Sequence, residues 1–357
     1  MAPRSLDQIA PSDVASIKPS SNFRINNFDG IRLFAATQVM VFHCLSHFEI
    51  PVPFYLQPLS WFSGVPIFFV ISGFLISASF ERRKNLKNYF TNRALRIFPG
   101  LWLCLFSTLI VFIIFKIHVP LFSGSVWLFT QIFGAVYTPS FLSQFGMGSY
   151  NGSLWTIPLE LQFYVTIPFL YTLFITNKRN TLALTLVFFA FFCATIAING
   201  FLPDIGGSKE RFAVKLLRYT FVPKYFLFLF GVLLQRLKAN DWDAIRGKGV
   251  YWLAACALYS VIVPQHWLSD IVRQILVGAT MISLAYTQPG LSNRLLGGTD
   301  ISYGVYLYHG LVINILFEMG QKHGLGPMLI VLITAPILGL ASWTVVEKRA
   351  IRRKPSA

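Results

Sequence analysis

Ten apolar runs of membrane-crossing length follow one another along this 357-residue chain, near 30–49, 60–80, 99–118, 154–176, 181–200, 220–237, 249–265, 271–288, 301–320 and 326–346. A bilayer core about 30 Å thick takes about 20 apolar residues per helix. In lipid a helix satisfies its own backbone donors and acceptors. The expected fold is therefore all-α: a polytopic integral membrane bundle of about ten transmembrane helices, with no room for a separate soluble domain. With 55% hydrophobic residues, 12% charged residues and a mean hydropathy of +0.59, a water-soluble surface is excluded.

The loops carry the orientation. A formal charge of +16, from 30 Lys+Arg against 14 Asp+Glu, would suit nucleic acid if it were clustered. Here the basic residues sit in short loops between apolar runs, the pattern of cytoplasmic loops facing anionic lipid. With the N-terminus inside, the cytoplasmic loops hold Arg82, Arg83, Lys84, Lys87, Arg93 and Arg96; Lys178 and Arg179; Arg236, Lys238, Arg246 and Lys248; and Arg294. The tail from Lys348 joins them. One loop dissents, because Lys209, Arg211, Lys215 and Arg218 fall on the outer side. Residues 1–24 are polar and lack an apolar signal core, so they read as a disordered cytoplasmic tail. The transmembrane domain covers 25–352, and 353–357 form a second cytoplasmic tail. The stretch 121–150 is aromatic, rich in Gly, Ser and Pro and free of charge, and is expected to be interfacial or re-entrant, not an eleventh span. Cys44, Cys104, Cys193 and Cys256 stand singly in or beside apolar runs, which suggests neither disulfides nor a zinc site. No internal repeat is visible, which weighs against a transporter built from duplicated halves.

Ionisable residues inside the spans are the candidates for chemistry, since such groups are costly in lipid. In the first span, Asp29-Gly30-Ile31-Arg32 is followed eleven residues after Arg32 by His43. Eleven helical steps rotate roughly 1100° and rise roughly 16 Å, so both residues share one face, the guanidinium at the cytoplasmic edge and the imidazole past the midplane. Such a stripe suits a long anionic cosubstrate, gripped at its charged end and met by a base at its reactive end. The plain alternative is a snorkelling Arg32 and a hydrogen-bonded core histidine. His47 lies one turn beyond His43, near the outer interface, but no carboxylate or cysteine set at ligand spacing supports a metal. Glu160, about two turns below the outer surface, matches the depth of His43 and is expected to pair with it, orienting the ring; a structural ion pair between helices is the alternative. Arg93 and Arg96 share a helix face and suit phosphates or plain lipid anchoring equally. His309, beside Tyr303, Tyr306 and Tyr308, reads as a polar helix contact before a catalyst.

Taken together these motifs resemble the membrane acyltransferase 3 family, whose bacterial members O-acetylate lipopolysaccharide, exopolysaccharide, Nod factors and macrolides. The resemblance rests on Asp29-Gly30-x-Arg32 with His43, Phe68-Phe69-Val70-Ile71-Ser72-Gly73-Phe74-Leu75, and Arg93-x-x-Arg96-Ile97-x-Pro99. It continues through Ser153-Leu154-Trp155-Thr156 with Glu160-x-Gln162-Phe163-Tyr164, then Ser302-Tyr303-Gly304-Val305-Tyr306-Leu307-Tyr308-His309 and Val346-Glu347-Lys348. Each motif is weak alone; six in order, from residue 29 to about 352, are specific. The resemblance implies a ten-helix fold, an acyl-coenzyme A donor held from the cytoplasmic side, His43 as the essential catalytic residue supported by Arg32, and Arg93 and Arg96 as the donor-side arginine pair. Trp155 and Glu160 match its central motif, and Ser153, Tyr164, Tyr303 and His309 fall in its supporting motifs. The family often has two acidic residues before the Gln-Phe-Tyr step, whereas here Leu161 follows Glu160. The extracytoplasmic SGNH-type domain that some members append is not expected in a chain that ends at Ala357.

The reading is an O-acyltransferase, with acetyl the expected group, moving it from acetyl-coenzyme A to a hydroxyl of a carbohydrate or lipid-linked glycan. His43, Glu160 and Arg32 would be catalytic, and Arg32, Arg93 and Arg96 would bind the cosubstrate. An imidazole near its ordinary pKa of about 6.5 serves as base or relay at neutral pH, and Arg96→Ala is expected to raise KM for the donor. No permanently bound cofactor, metal or nucleic acid is expected, and the partners are the lipid bilayer, acyl-CoA and the glycan. The setting is the plasma (bacterial inner) membrane, both termini cytoplasmic. The competing class is a proton-coupled transporter with His43, Glu160 and His309 as its relay.

Overall fold

The computed structural model of the protein describes residues 26–82, 85–174, 181–201, 217 and 220–353. The expected tails at 1–24 and 354–357 and the loop cations Arg83, Lys84, Lys178, Arg179, Lys209, Arg211, Lys215 and Arg218 lie outside them. Among the described residues the fold is all-helical, without a β-strand. The longer helices are α1 (Phe28–His47), α2 (Gly64–Arg82), α3 (Leu86–Ile114), α4 (Leu121–Ile132), α5 (Thr156–Phe174), α6 (Thr181–Phe201), α7 (Tyr225–Arg236), α8 (Gly249–Ile262), α9 (Trp267–Ala285), α10 (Ser302–Glu318) and α11 (Leu325–Ser342).

Each of the ten apolar runs coils where expected, and α4 is added inside 121–150. Among the described residues five helical stretches are long and apolar enough to cross a membrane: Phe54–Arg82, Leu86–Ile114, Thr181–Gly200, Trp267–Ala285 and Leu325–Arg352. The apolar helices α4 and α8, with 12 and 14 residues, rise only roughly 18 and 21 Å, short of the bilayer core. The stretch holding α4 is thus too short to span by its helix alone.

The expected start of the third span is displaced. Helix α3 begins at Leu86, not 99, because Asn85 caps it by accepting from the Asn88 backbone N–H at 3.1 Å, and the helix runs on through Pro99. A proline removes one backbone donor without ending a helix whose neighbours hold it. Arg93 and Arg96 therefore stand inside a helix and not in a loop.

Close backbone approach sets the centre of the bundle. A Cβ on Gly73 of α2 would lie 2.0 Å from the Phe228 carbonyl oxygen of α7, and one on Gly231 2.0 Å from that of Val70; only glycine permits this contact. Around it Phe163, Tyr225 and Phe228 stack in the large core. A second core joins α1, α10 and α11 through Ala36, Met40, Val305, Ile313 and Val331. Outward, Leu325, Leu329, Ile333 and Ile337 form one exposed apolar stripe on α11, the face a helix presents to lipid and not to water.

Candidate active site

His43 meets the protein through one ring nitrogen. Its Nδ1 lies 3.0 Å from Nε2 of His309 on α10, and the Ser153 hydroxyl lies 2.8 Å from that same Nε2 and 3.4 Å from His43 Nδ1. The other nitrogen of His309, Nδ1, is 3.1 Å from the Val305 carbonyl oxygen. A carbonyl only accepts, so His309 Nδ1 carries the hydrogen, and in neutral His309 Nε2 is the acceptor. His43 Nδ1 then donates to it, which leaves the lone pair of neutral His43 on Nε2. Among the described residues no side chain or backbone group bonds that nitrogen. His43 is thus a base whose tautomer is set by a second histidine.

The chain holds this cluster rigidly. Gly152–Trp155 form a 3-10 turn ahead of α5. Asn151 Nδ2 donates to the Leu307 carbonyl at 2.8 Å, and the Tyr306 hydroxyl donates to the Ser153 carbonyl and pairs with Thr156 Oγ1. The turn fits because residue 310 is glycine: a Cβ there would meet Asn151 Oδ1 at 2.2 Å and Ser153 Oγ at 2.8 Å.

Two cavities flank the cluster. The outer one, about 430 Å³, is lined by His43 together with Gln38, Ser60, Ser63, Trp155, Lys224 and Gln274. The inner one, about 90 Å³, is lined by Arg32, Arg93, Arg96, Glu160, Tyr164 and Tyr303, among others. Val65 and Phe69 of α2 belong to both linings and form the wall between them.

The inner cavity is charge-dense. Asp300, buried just ahead of α10, takes Arg96 at 2.5 Å and Arg32 at 3.6 Å, while Asp29 takes Arg32 at 3.1 Å. The Ser302 hydroxyl donates to Asp300 at 2.5 Å. Burial pushes the Asp300 carboxyl up, but Arg96 and Arg32 outweigh it and hold the group well below the ordinary carboxylate range. Arg93 differs from its neighbours: its guanidinium stands 5.8 Å over the Tyr164 ring, its Nε is enclosed without an acceptor, and no described carboxylate pairs with it. Glu347, in the π-turn Trp343–Glu347 that continues α11, accepts from Ser342 at 2.7 Å and keeps its second oxygen free of any described donor.

The expected residues thus fall into two groups. His43, Ser153, Trp155 and His309 gather at or beside the outer cavity; Arg32, Arg93, Arg96, Glu160, Tyr164 and Tyr303 gather at the inner one. The expected pairing of Glu160 with His43 does not occur. Glu160 accepts from the Tyr164 hydroxyl one turn along α5 and lies 3.5 Å from Ser72 Oγ, and His309 occupies the place beside His43. A depth counted along each helix says nothing of which way each side chain faces. The same finding breaks the three-residue relay of the transporter reading between Glu160 and the two histidines. His47 packs its ring 5.7 Å from that of His43, and among the described residues no three His, Cys, Asp or Glu side chains cluster for a metal. Asp300 and Lys224 were not singled out by the sequence, and Ser72 stood there only as part of the Phe68–Leu75 motif; an acidic residue two before a serine at a helix start carries only the signal of an ordinary cap.

Known proteins resemble this chain over most of its length. Residues 25–346 match the family model described as an acyltransferase domain, Acyl_transf_3. Nodulation protein 10 of Rhizobium leguminosarum bv. viciae is 29% identical over 93% of this chain and 94% of its own length. The O-acetyl transferase of Shigella phage Sf6 is 28% identical over 92% and 96%. A putative peptidoglycan O-acetyltransferase of Bacillus subtilis (strain 168) is 25% identical over 91% of this chain and 54% of its own length. No solved structure matches.

Proposed function

Because the chain belongs to the acyltransferase family whose domain it matches from residue 25 to 346, and is an acyltransferase, we propose that it moves an acetyl group from acetyl-coenzyme A to a hydroxyl of a carbohydrate or lipid-linked glycan. Relatives named as O-acetyltransferases support the reaction type. The observation that carries the reading is the base of the outer cavity, His43 with Nδ1 committed to His309 at 3.0 Å, one side-chain wall away from three arginines.

In this reading the donor phosphates meet the arginines that line the inner cavity, and its thioester points toward the wall shared with the outer one. The acceptor hydroxyl enters from the outer cavity. His43 Nε2 takes its proton as the oxygen attacks the thioester carbonyl; the C–O bond forms, the C–S bond breaks, and the imidazolium returns the proton to the departing thiolate. His309 Nε2 accepts from His43 Nδ1–H throughout and so stabilises the imidazolium, the task expected of Glu160. Glu160, held by Tyr164, then shapes the electrostatics of the donor side. Arg93, with no carboxylate of its own, is the strongest anion ligand, while Arg32 and Arg96 offer what Asp300 and Asp29 leave unused.

The same reading takes ten spans, with both termini cytoplasmic and the chain in the plasma membrane; the arginines then face the cell interior and His43 the outer half of the bilayer. The test is label transfer in membrane vesicles: [14C]acetyl-CoA should label membrane glycan in inside-out vesicles with the wild-type protein and not with His43→Ala. Equal labelling with both proteins removes the mechanism, and labelling only of intact right-side-out vesicles inverts the orientation.

A further inference from the structure

The outer cavity contains a cation that the acyl-transfer scheme does not use. Lys224 lines it together with His43, and no Asp or Glu does. Among the described residues Lys224 forms no ion pair and no side-chain hydrogen bond, although it is half-buried between helices. Leaving an ammonium there unpaired is expensive.

Its surroundings sharpen the point. Gln38, in the same lining, is fully engaged, accepting from the Gly64 N–H at 2.8 Å and reaching the Leu59 carbonyl at 3.5 Å, so it serves the turn ahead of α2. Gln274 is not: its Oε1 is enclosed without a donor. Lys224 is also the N-cap residue of α7, without a side-chain cap, and Leu227 from the first turn of that helix lines the cavity. The positive end of a 12-residue helix adds to the field of the ammonium. The arginines that answer the donor's phosphates lie beyond the Val65 and Phe69 wall, in the other cavity. The anion that Lys224 awaits is thus a different one, sharing a cavity with the base that takes the acceptor's proton.

We infer that the acceptor is an anionic glycan, and that Lys224 binds its phosphate or carboxylate while a hydroxyl of the same molecule reaches His43. This rests on the acyl-transfer reading, in which the outer cavity is the acceptor's. A compact ammonium with three donors suits either anion. The phosphate would belong to a lipid-linked sugar and the carboxylate to an acidic sugar. Trp155 in the same lining offers an apolar face for a pyranose ring.

The test is equilibrium binding of glucose, glucose 1-phosphate and glucuronic acid to the purified full-length protein in detergent. The wild type should bind at least one charged sugar about tenfold or more tightly than glucose, the scale of one charge-assisted hydrogen bond. Lys224→Arg should keep that ratio and Lys224→Met should bring it near one. A ratio between ligands within each variant is insensitive to partial loss of folded protein. Preference for the phosphate alone assigns a lipid-linked source, and preference for the carboxylate alone an acidic sugar. Equal binding of the three by the wild type, no binding of any, or a preference that survives in Lys224→Met overturns the inference. Label transfer from [14C]acetyl-CoA is read separately: charge preference without transfer sinks the transfer reading and spares the site, and transfer without charge preference does the reverse.

Discussion

The two cavities on either side of Val65 and Phe69 differ in size and in how their charges are kept. The inner one is small and crowded with guanidinium groups that the protein itself largely neutralises through Asp300 and Asp29. The outer one is nearly five times larger, about 430 against 90 Å³, and holds an imidazole and one unneutralised ammonium. A prearranged lattice suits a cosubstrate that always carries the same phosphates, since its ligands need no reorganisation. A roomier site with few committed groups suits an acceptor whose shape varies. The wall between them is where the two substrates must meet.

Substitutions can break this contrast, beginning with the largest effect. His43→Ala removes the imidazole base facing the outer cavity and should lower kcat for acetyl transfer about 10²–10⁴-fold, measured as label incorporated per mole of folded protein. Retained activity would move the chemistry out of the outer cavity. Asp300→Asn should act on stability: leaving Arg96 enclosed without its carboxylate costs about 3–5 kcal/mol, read as a fall in Tm in detergent. The sign with pH follows from the lowered Asp300 carboxyl. Its contribution is present in full above the unfolded carboxylate value near 3.9 and is lost as pH falls through the lower folded value. The Tm gap between wild type and variant should therefore hold constant over about pH 5–8 and shrink in strong acid; a gap that widens on acidification contradicts the bridge.

Arg93→Ala separates the two cavities kinetically. KM for acetyl-CoA should rise about 10–100-fold, the scale of lost charge-assisted hydrogen bonds, and more than in Arg96→Ala, whose native guanidinium is already engaged with Asp300. Equal effects would mean that the Asp300 bridge opens when the donor binds. The smallest effect is expected from Gly310→Ala. The added Cβ crowds Asn151 and Ser153, and overpacking of this kind costs about 1–3 kcal/mol. It should reduce kcat without raising KM for the donor; a raised donor KM would show that the cavities are coupled through α10.

Much of the fold was legible because apolar runs and helical periodicity are local properties. All ten runs coil, and Arg32 and His43 stand eleven residues apart on one unbroken helix, α1. The apolar run near 99–118 understated the third helix, although Asn85, which caps it, lay in the sequence all along. The pairings across the bundle were not legible. His43 and His309 are 266 positions apart, and Arg96 and Asp300 204 apart. Depth along a helix can be counted from residues, but the azimuth of a neighbouring helix is set by contacts such as Gly73 on Phe228. That is why Glu160 was expected beside His43 and lies instead with the arginines of the inner cavity.

The central claim is that His43 and His309 work as one unit. A double-mutant cycle on kcat for [14C]acetyl transfer, using His43→Ala, His309→Ala and the pair together, tests it most directly. Once the base is gone its orienting partner has nothing to orient, so the double variant should be no slower than His43→Ala alone. Losses that simply multiply would contradict the account.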